Sequence, residues 1–172
     1  MATNLQFIKS VSSSASVSSV DITNCFSSEY GVYMLSFADI DIAGAGDENI
    51  DIRLLDSSGS SISASEYDYA GLVLRYGSSF SEIKGLSQTQ FTYGGGYCGT
   101  SNIGNLGLTG YFYNPYDSSS FTFFQHQHAT STGHDGQKYI GVHKSAEQIT
   151  GLQIRVDSGT IERLSASVYG VK

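Results

Sequence analysis

His126 and His128 are the residues whose type and spacing point most directly to chemistry. They end the stretch Phe121-Thr-Phe-Phe-Gln-His-Gln-His128, where alternate residues lie on opposite sides of an extended chain, so Phe124, His126 and His128 share a face. Two imidazoles two residues apart on a strand can chelate one metal ion. Three such pairs around a three-fold axis would complete an octahedral set, with His134 and His143 as further donors. Within one chain the pair, without a carboxylate, falls short of a full ligand set. The competing reading is a polar strand end whose Gln and His side chains hydrogen-bond neighbours across a subunit interface.

Asp39, Asp41, Asp47, Glu48 and Asp51 offer hard oxygen ligands of the kind Ca²⁺ takes, but they lack the spacing of a helix–loop–helix calcium loop. Asp39 and Asp41 alternate with Ile40 and Ile42, the pattern of a half-buried strand. Gly94 to Gly107 reads as a long exposed glycine-rich loop. Tyr93, Tyr97 and Asn102 are its candidate contacts with a sugar ring or a partner protein. No Lys follows where a phosphate loop needs one, and the plainer reading is a surface connector that orders on assembly. Serines abound without a nucleophile elbow, and no pair of Glu residues has cleft spacing, so neither catalysis nor a cofactor is expected.

The 172 residues suit a single domain, 1–172, with a genuine core. The formal net charge is −7 with only 9 Lys plus Arg, a surface that repels phosphate backbones and argues against nucleic acid. Charged residues make up 15% of the chain, and Ser alone is roughly one residue in six. Such an uncharged polar surface costs little to desolvate on contact, which suits a protein held in an assembly. Aromatics at 12% and an apolar fraction of 40% exclude general disorder. No apolar stretch approaches bilayer length and no leader pattern opens the chain, so membrane insertion is not expected and assembly in a cytoplasm is. Cys25 and Cys98 are then expected to stay reduced, Cys25 as a small core residue.

Period-two alternation appears almost everywhere and helical period almost nowhere. Strands are expected near 5–8, 17–22, 32–42, 50–55, 69–76 (buried), 88–93, 108–113, 119–128 and 138–143. Residues 78–87 are ambiguous, and 1–19 are a connector or an edge strand. Ile149, Leu152, Ile154 and Val156, then Asp157-Ser-Gly159, then Ile161, Leu164, Ala166, Val168 and Val171 read as a hairpin that closes a sheet. The expected fold is all-β without substantial helix: an antiparallel, jelly-roll-like β-sandwich of about 8–11 strands.

Several segments in order resemble one family. They are Phe7-Ile-Lys-Ser10, residues 20–33, Ile52 to Gly59, Tyr67-Asp-Tyr-Ala70, Asn114-Pro115, Phe121-Thr-Phe-Phe124, Gly151 and Tyr169-Gly170. Together they resemble small virion structural proteins of tailed phages, those infecting marine cyanobacteria above all. The resemblance implies a non-enzymatic virion subunit, a capsid decoration or head fibre or a tail or baseplate accessory, assembled in the host cytoplasm. It also implies a homotrimer whose partners are capsid or tail proteins. The competing class is a carbohydrate- or receptor-binding β-sandwich that contacts host surface glycans. Such modules usually stack sugars on Trp; this chain has none, so Tyr93 or Tyr97 would have to substitute.

Overall fold

Apolar residues at every second position give each strand one side to bury, and two sheets bury those sides against each other. The structure, a computed structural model, describes residues 4–44, 48–75, 77, 79–98, 106–130 and 136–172. Twelve strands and no helix occur among them: β1 (Leu5–Ser13), β2 (Ser19–Ile22), β3 (Val32–Ala43), β4 (Glu48–Leu55), β5 (Tyr67–Leu74), β6 (Ser81–Gln88), β7 (Phe91–Cys98), β8 (Leu106–Tyr113), β9 (Thr122–Thr130), β10 (Gly136–His143), β11 (Gly151–Val156) and β12 (Thr160–Val171). The ambiguous 78–87 segment holds β6, which takes the count one past the expected range. Its Glu82-Ile-Lys-Gly85 run has too few apolar residues to announce a strand, and pairing with β5 makes it one.

All pairings are antiparallel, in an eight-stranded sheet of order β1-β12-β3-β8-β9-β10-β5-β6 and a four-stranded sheet of order β2-β11-β4-β7. The quartet β1-β12-β3-β8 faces β2-β11-β4-β7 in the rolled order of a jelly roll. The strands β9, β10, β5 and β6 widen one sheet beyond it. Tyr33, Leu35, Phe37, Ile40, Ile161, Leu164 and Val168 of the large sheet pack against Ile22, Ile50, Ile52, Leu54, Leu152 and Ile154 of the small one, all buried. Each fully buried side chain of this size contributes about 1.5–3 kcal/mol. The spacing from Ile161 to Leu164 breaks the period of two, and a bulge in the β12–β3 pairing absorbs the extra residue so that both face inward.

Two expectations about these elements change. β5 is not buried throughout: Ala70 and Leu72 face outward. The C-terminal strands do not form a hairpin. β11 pairs with β2 and β4, whereas β12 pairs with β1 and β3, so Asp157-Ser-Gly159 crosses from one sheet to the other as an arch. Alternation is the same in either arrangement. Here the apolar sides of the two strands face each other across the core instead of lying side by side.

Asp157 pins the arch: its Oδ1 accepts from the backbone N–H groups of Asn49 (3.2 Å) and Ser158 (3.0 Å), and its Oδ2 accepts from Asn49 Nδ2 (3.1 Å). Gly159 has φ +73°, and a Cβ there would lie 2.1 Å from the Ala43 carbonyl oxygen. Gly159→Ala therefore meets both a left-handed backbone and an unyielding neighbour. The expected loss is more than about 2 kcal/mol, read as a lowered urea midpoint with little change in slope.

Cys25 and Cys98 are both free and buried. Burial pushes the Cys25 thiol up to about 12, against the opposing charge of Lys9, so it stays protonated and unreactive.

Candidate functional site

The histidine pair lies inside the sandwich. In β9, Thr122, Phe124, His126 and His128 face inward while Phe123, Gln125, Gln127 and Ala129 face out. The shared face expected from the alternation is therefore present, but it is the core face. Imidazoles 3% and 6% exposed cannot meet their counterparts around a subunit axis, and the three-fold metal site is not formed. The two rings stack instead, with centroids 5.5 Å apart, and His126 stacks on Tyr139 at 4.8 Å. His143 is in register with Thr122, at the other end of β9 from His128, and His134 lies outside the described residues.

His126 belongs to a polar spine built around an irregularity in β7. Ile50 pairs with Gly96 and Ile52 with Phe91, so Thr92 to Gly95 stand opposite Asp51 alone. Tyr93 there has φ +61°. Its N–H donates to Asp51 Oδ1 (3.0 Å), and its carbonyl accepts from His126 Nε2 (3.1 Å) and Gln137 Nε2 (3.4 Å). A carbonyl only accepts, so the neutral His126 ring carries its proton on Nε2. Asp51 Oδ2 also accepts from Gln90 Nε2, and Gln90 Oε1 accepts from Arg155 Nη1 (2.6 Å). A side-chain carboxylate thus replaces the missing ladder partner of a displaced strand, as buried backbone requires.

Burial sets the protonation of the two titrating groups that flank Tyr93 in the spine. It raises the Asp51 carboxyl to about 6, against the lowering effect of the Tyr93 N–H, and lowers the His126 imidazole to about 3, with His128 adding to the effect. His126 is therefore an uncharged hydrogen-bond donor at neutral pH.

Tyr93 and Tyr97 are half-buried residues of β7, their rings 6.3 Å apart, not contacts on a flexible loop. Asn102 lies outside the described residues. The exposed-loop reading of Gly94 to Gly107 fails through Cys98, because Gly94, Gly95 and Gly96 are buried strand residues. A Cβ at Gly95 would stand 2.2 Å from Ile50 Cγ2, and one at Gly96, where φ is +97°, 2.9 Å from His128 Nδ1. Gly94 and Gly95 make room for Phe91 and Ile50 within the small sheet, and Gly96 lets that sheet approach Leu106 and His128 of the large one; they are not there for flexibility.

The acidic residues are also dispersed. Asp39 and Asp41 both pair with Arg163 of β12, whose Nη1 is 3.5 Å from Asp41 Oδ2, and Asp51 is in the spine. Asp47 lies outside the described residues.

Sequence reasoning passed over the outer face of the large sheet. Three cross-strand rows run along it. The first, Leu5, Val171, Val32, Tyr113, Phe123 and Val142, is apolar. The second is mixed: Phe7, Tyr169, Met34, Tyr111, Gln125 and Ile140. The third, Ser167, Ser36, Thr109, Gln127 and Lys138, is polar. A groove of about 1190 Å³ follows the polar and mixed rows across β3, β8, β9, β10, β5 and β6. An adjoining pocket of about 440 Å³ is lined by Leu86, Tyr113, Phe123 and Ile140. Leu5, Phe7, Phe123 and Ile140 are 42–62% exposed, so large apolar side chains stand in solvent along a continuous surface. The face offers aromatic rings, amides and hydroxyls, the chemistry of recognition. Outward positions could be counted within each strand, but the rows needed the strand order.

No family of known proteins, no curated protein and no solved structure matches the chain.

Proposed function

We propose that the protein is a non-enzymatic structural subunit of a tailed-phage virion, held to further copies of itself and to capsid or tail proteins through the outer face of its large sheet. The observation that carries this is the apolar row crossing β1, β12, β3, β8, β9 and β10 beside partly apolar neighbours. A solitary domain rarely leaves such a band uncovered, and a band rimmed by polar residues is the usual anatomy of a protein interface. The family resemblance supplies the virion setting. Immunogold labelling of intact particles tests it. Gold on heads assigns a decoration or head fibre, and gold on tails assigns a fibre or baseplate accessory. Antigen found only in the lysate overturns the reading.

The groove favours one alternative. Tyr111 with Thr109, Gln125 and Gln127 on its floor is an aromatic-and-amide surface of the kind that takes a sugar. A glycan array separates the two readings. Hits that vanish in Tyr111→Ala support a receptor-binding module, and a blank array supports a purely structural role.

A further inference from the structure

We infer that Glu66, His143 and Glu147 form a binding site for a divalent transition cation of the zinc class. His143 ends β10, its side chain is fully buried, and it packs on the Tyr67 ring at 4.7 Å. Its Nε2 lies 3.3 Å from Glu66 Oε2 and 3.8 Å from Glu147 Oε1. Neither ring nitrogen makes an aligned hydrogen bond, so the carboxylates converge on the ring edge without satisfying it.

One donor atom from each of the three residues lies within 4.8 Å of the others. A tetrahedral ion with bonds of about 2.1 Å needs donor–donor edges of about 3.4 Å, close to the two His143 distances. The neighbouring cation, Lys144, is engaged with Asp68 at 2.9 Å, which leaves the two carboxylates facing an imidazole edge. The frame is firm: the Lys144 N–H donates to the Glu66 carbonyl (2.8 Å), tying the two segments that supply the ligands. Both carboxylates are about one-third exposed, which gives an entry path and leaves a fourth position open to water. One nitrogen and two oxygen donors suit zinc or its neighbours better than calcium, which takes oxygen ligands alone.

Chelator-stripped protein titrated with Co²⁺, followed by the visible absorption of four-coordinate cobalt, tests the site. One ion per chain is expected, displaced by Zn²⁺. E66Q and E147Q are each expected to weaken binding by more than about a hundredfold, beyond the roughly 10–100-fold that an outer-sphere partner contributes. Both changes are at partly exposed side chains, and an unaltered metal-free melting curve verifies the fold. Absence of binding, or binding that neither variant weakens, overturns the site.

A separate observation concerns the free edge of the large sheet. β6 is its last strand, so among the described residues one backbone edge of β6 is unpaired. The sequence Phe80-Ser-Glu-Ile-Lys-Gly-Leu86 is self-complementary about Ile83. We propose that two copies join antiparallel along β6. In that register Glu82 of each copy meets Lys84 of the other, and Phe80 meets Leu86. Phe80 and Leu86 are 62% and 76% exposed, among the most exposed large apolar side chains of the protein. The two-fold pairing uses the same strand twice and closes the assembly, which removes the edge as a site of open-ended association.

Light scattering after size exclusion is expected to give a dimer. K84E sets like charges opposite each other and is expected to give a monomer, and the double exchange E82K/K84E restores both ion pairs and the dimer. A monomeric or trimeric parent protein, or a double exchange that stays monomeric, overturns the pairing.

Discussion

Asp51→Asn protein is expected to lose about 3 kcal/mol more stability than the parent protein between pH 6.5 and pH 4. Two buried groups of the spine drive opposite slopes there, while His143, also lowered by burial, adds the same acid-side loss to every variant. His126 has its folded pKa depressed to about 3, from an ordinary value of 6.5. Below pH 6.5 the unfolded chain takes up a proton that the folded state refuses, so stability is lost as pH falls toward 3. Asp51 has its folded pKa raised to about 6, from an ordinary value of 3.8. Between those values the folded state keeps a proton that the unfolded chain releases, so stability is gained as pH falls from 6 to 4.

The shifts correspond to roughly 3 kcal/mol each over the shared window, so they nearly cancel in the parent. Asn at 51 still accepts from the Tyr93 N–H but does not titrate, and the His126 slope is no longer offset. His126→Gln keeps a donor for the Tyr93 carbonyl and leaves the opposite slope, with stability rising relative to the parent's as pH falls to 4. Urea midpoints at pH 7, 6, 5 and 4 for the three proteins decide the matter. Parallel curves would show that neither group titrates as its burial dictates. Below pH 4 the Asp51 gain is exhausted while the His126 loss continues, joined by carboxylates such as Asp56 and Asp68 that hydrogen bonds hold below the usual range, and the parent protein is expected to become acid-labile.

Phe124→Ala is expected to cost about 3–5 kcal/mol, and Phe123→Ala within about 1 kcal/mol. The residues are chain neighbours of one type and differ only in the side of the sheet they occupy. Phe124 is 1% exposed; it stacks on Phe112 at 4.3 Å and stands within 6.0 Å of Phe91, His126 and Tyr139. Phe91 reaches it from the small sheet, so the truncation opens a cavity where the two sheets meet. Phe123 is 45% exposed in the outer apolar row. On the proposed reading, Phe123→Ala weakens incorporation into particles while leaving the denaturation midpoint close to the parent's. Equal destabilisation by the two changes would mean that the register of β9 is wrong.

The residues by themselves determined that the chain is all-β, and largely where. β9 alternates so regularly that its inward and outward sets could be counted before any contact was known, including the shared face of Phe124, His126 and His128, whereas β3 changes phase between Phe37 and Ile40, where its pairing with β12 shifts register. β6 escaped because its pattern is too polar to stand out without β5 beside it. Gly94 to Gly96 passed for a loop because glycine marks flexibility and close packing alike, and only the nearness of Ile50 and His128 separates the two.

Tertiary structure decided the rest. Alternation says which residues share a side but not which side the core takes, so it made a surface metal pair of two imidazoles that lie inside. It also cannot say whether consecutive strands lie side by side or face each other, so it made a hairpin of β11 and β12, which an arch sends to different sheets. The apolar row, the spine from Arg155 to His126 and the Glu66–His143–Glu147 cluster join residues far apart in the chain. Strand order alone brings them together, because each strand's neighbours are chosen by the burial of whole sheets and not by its own sequence.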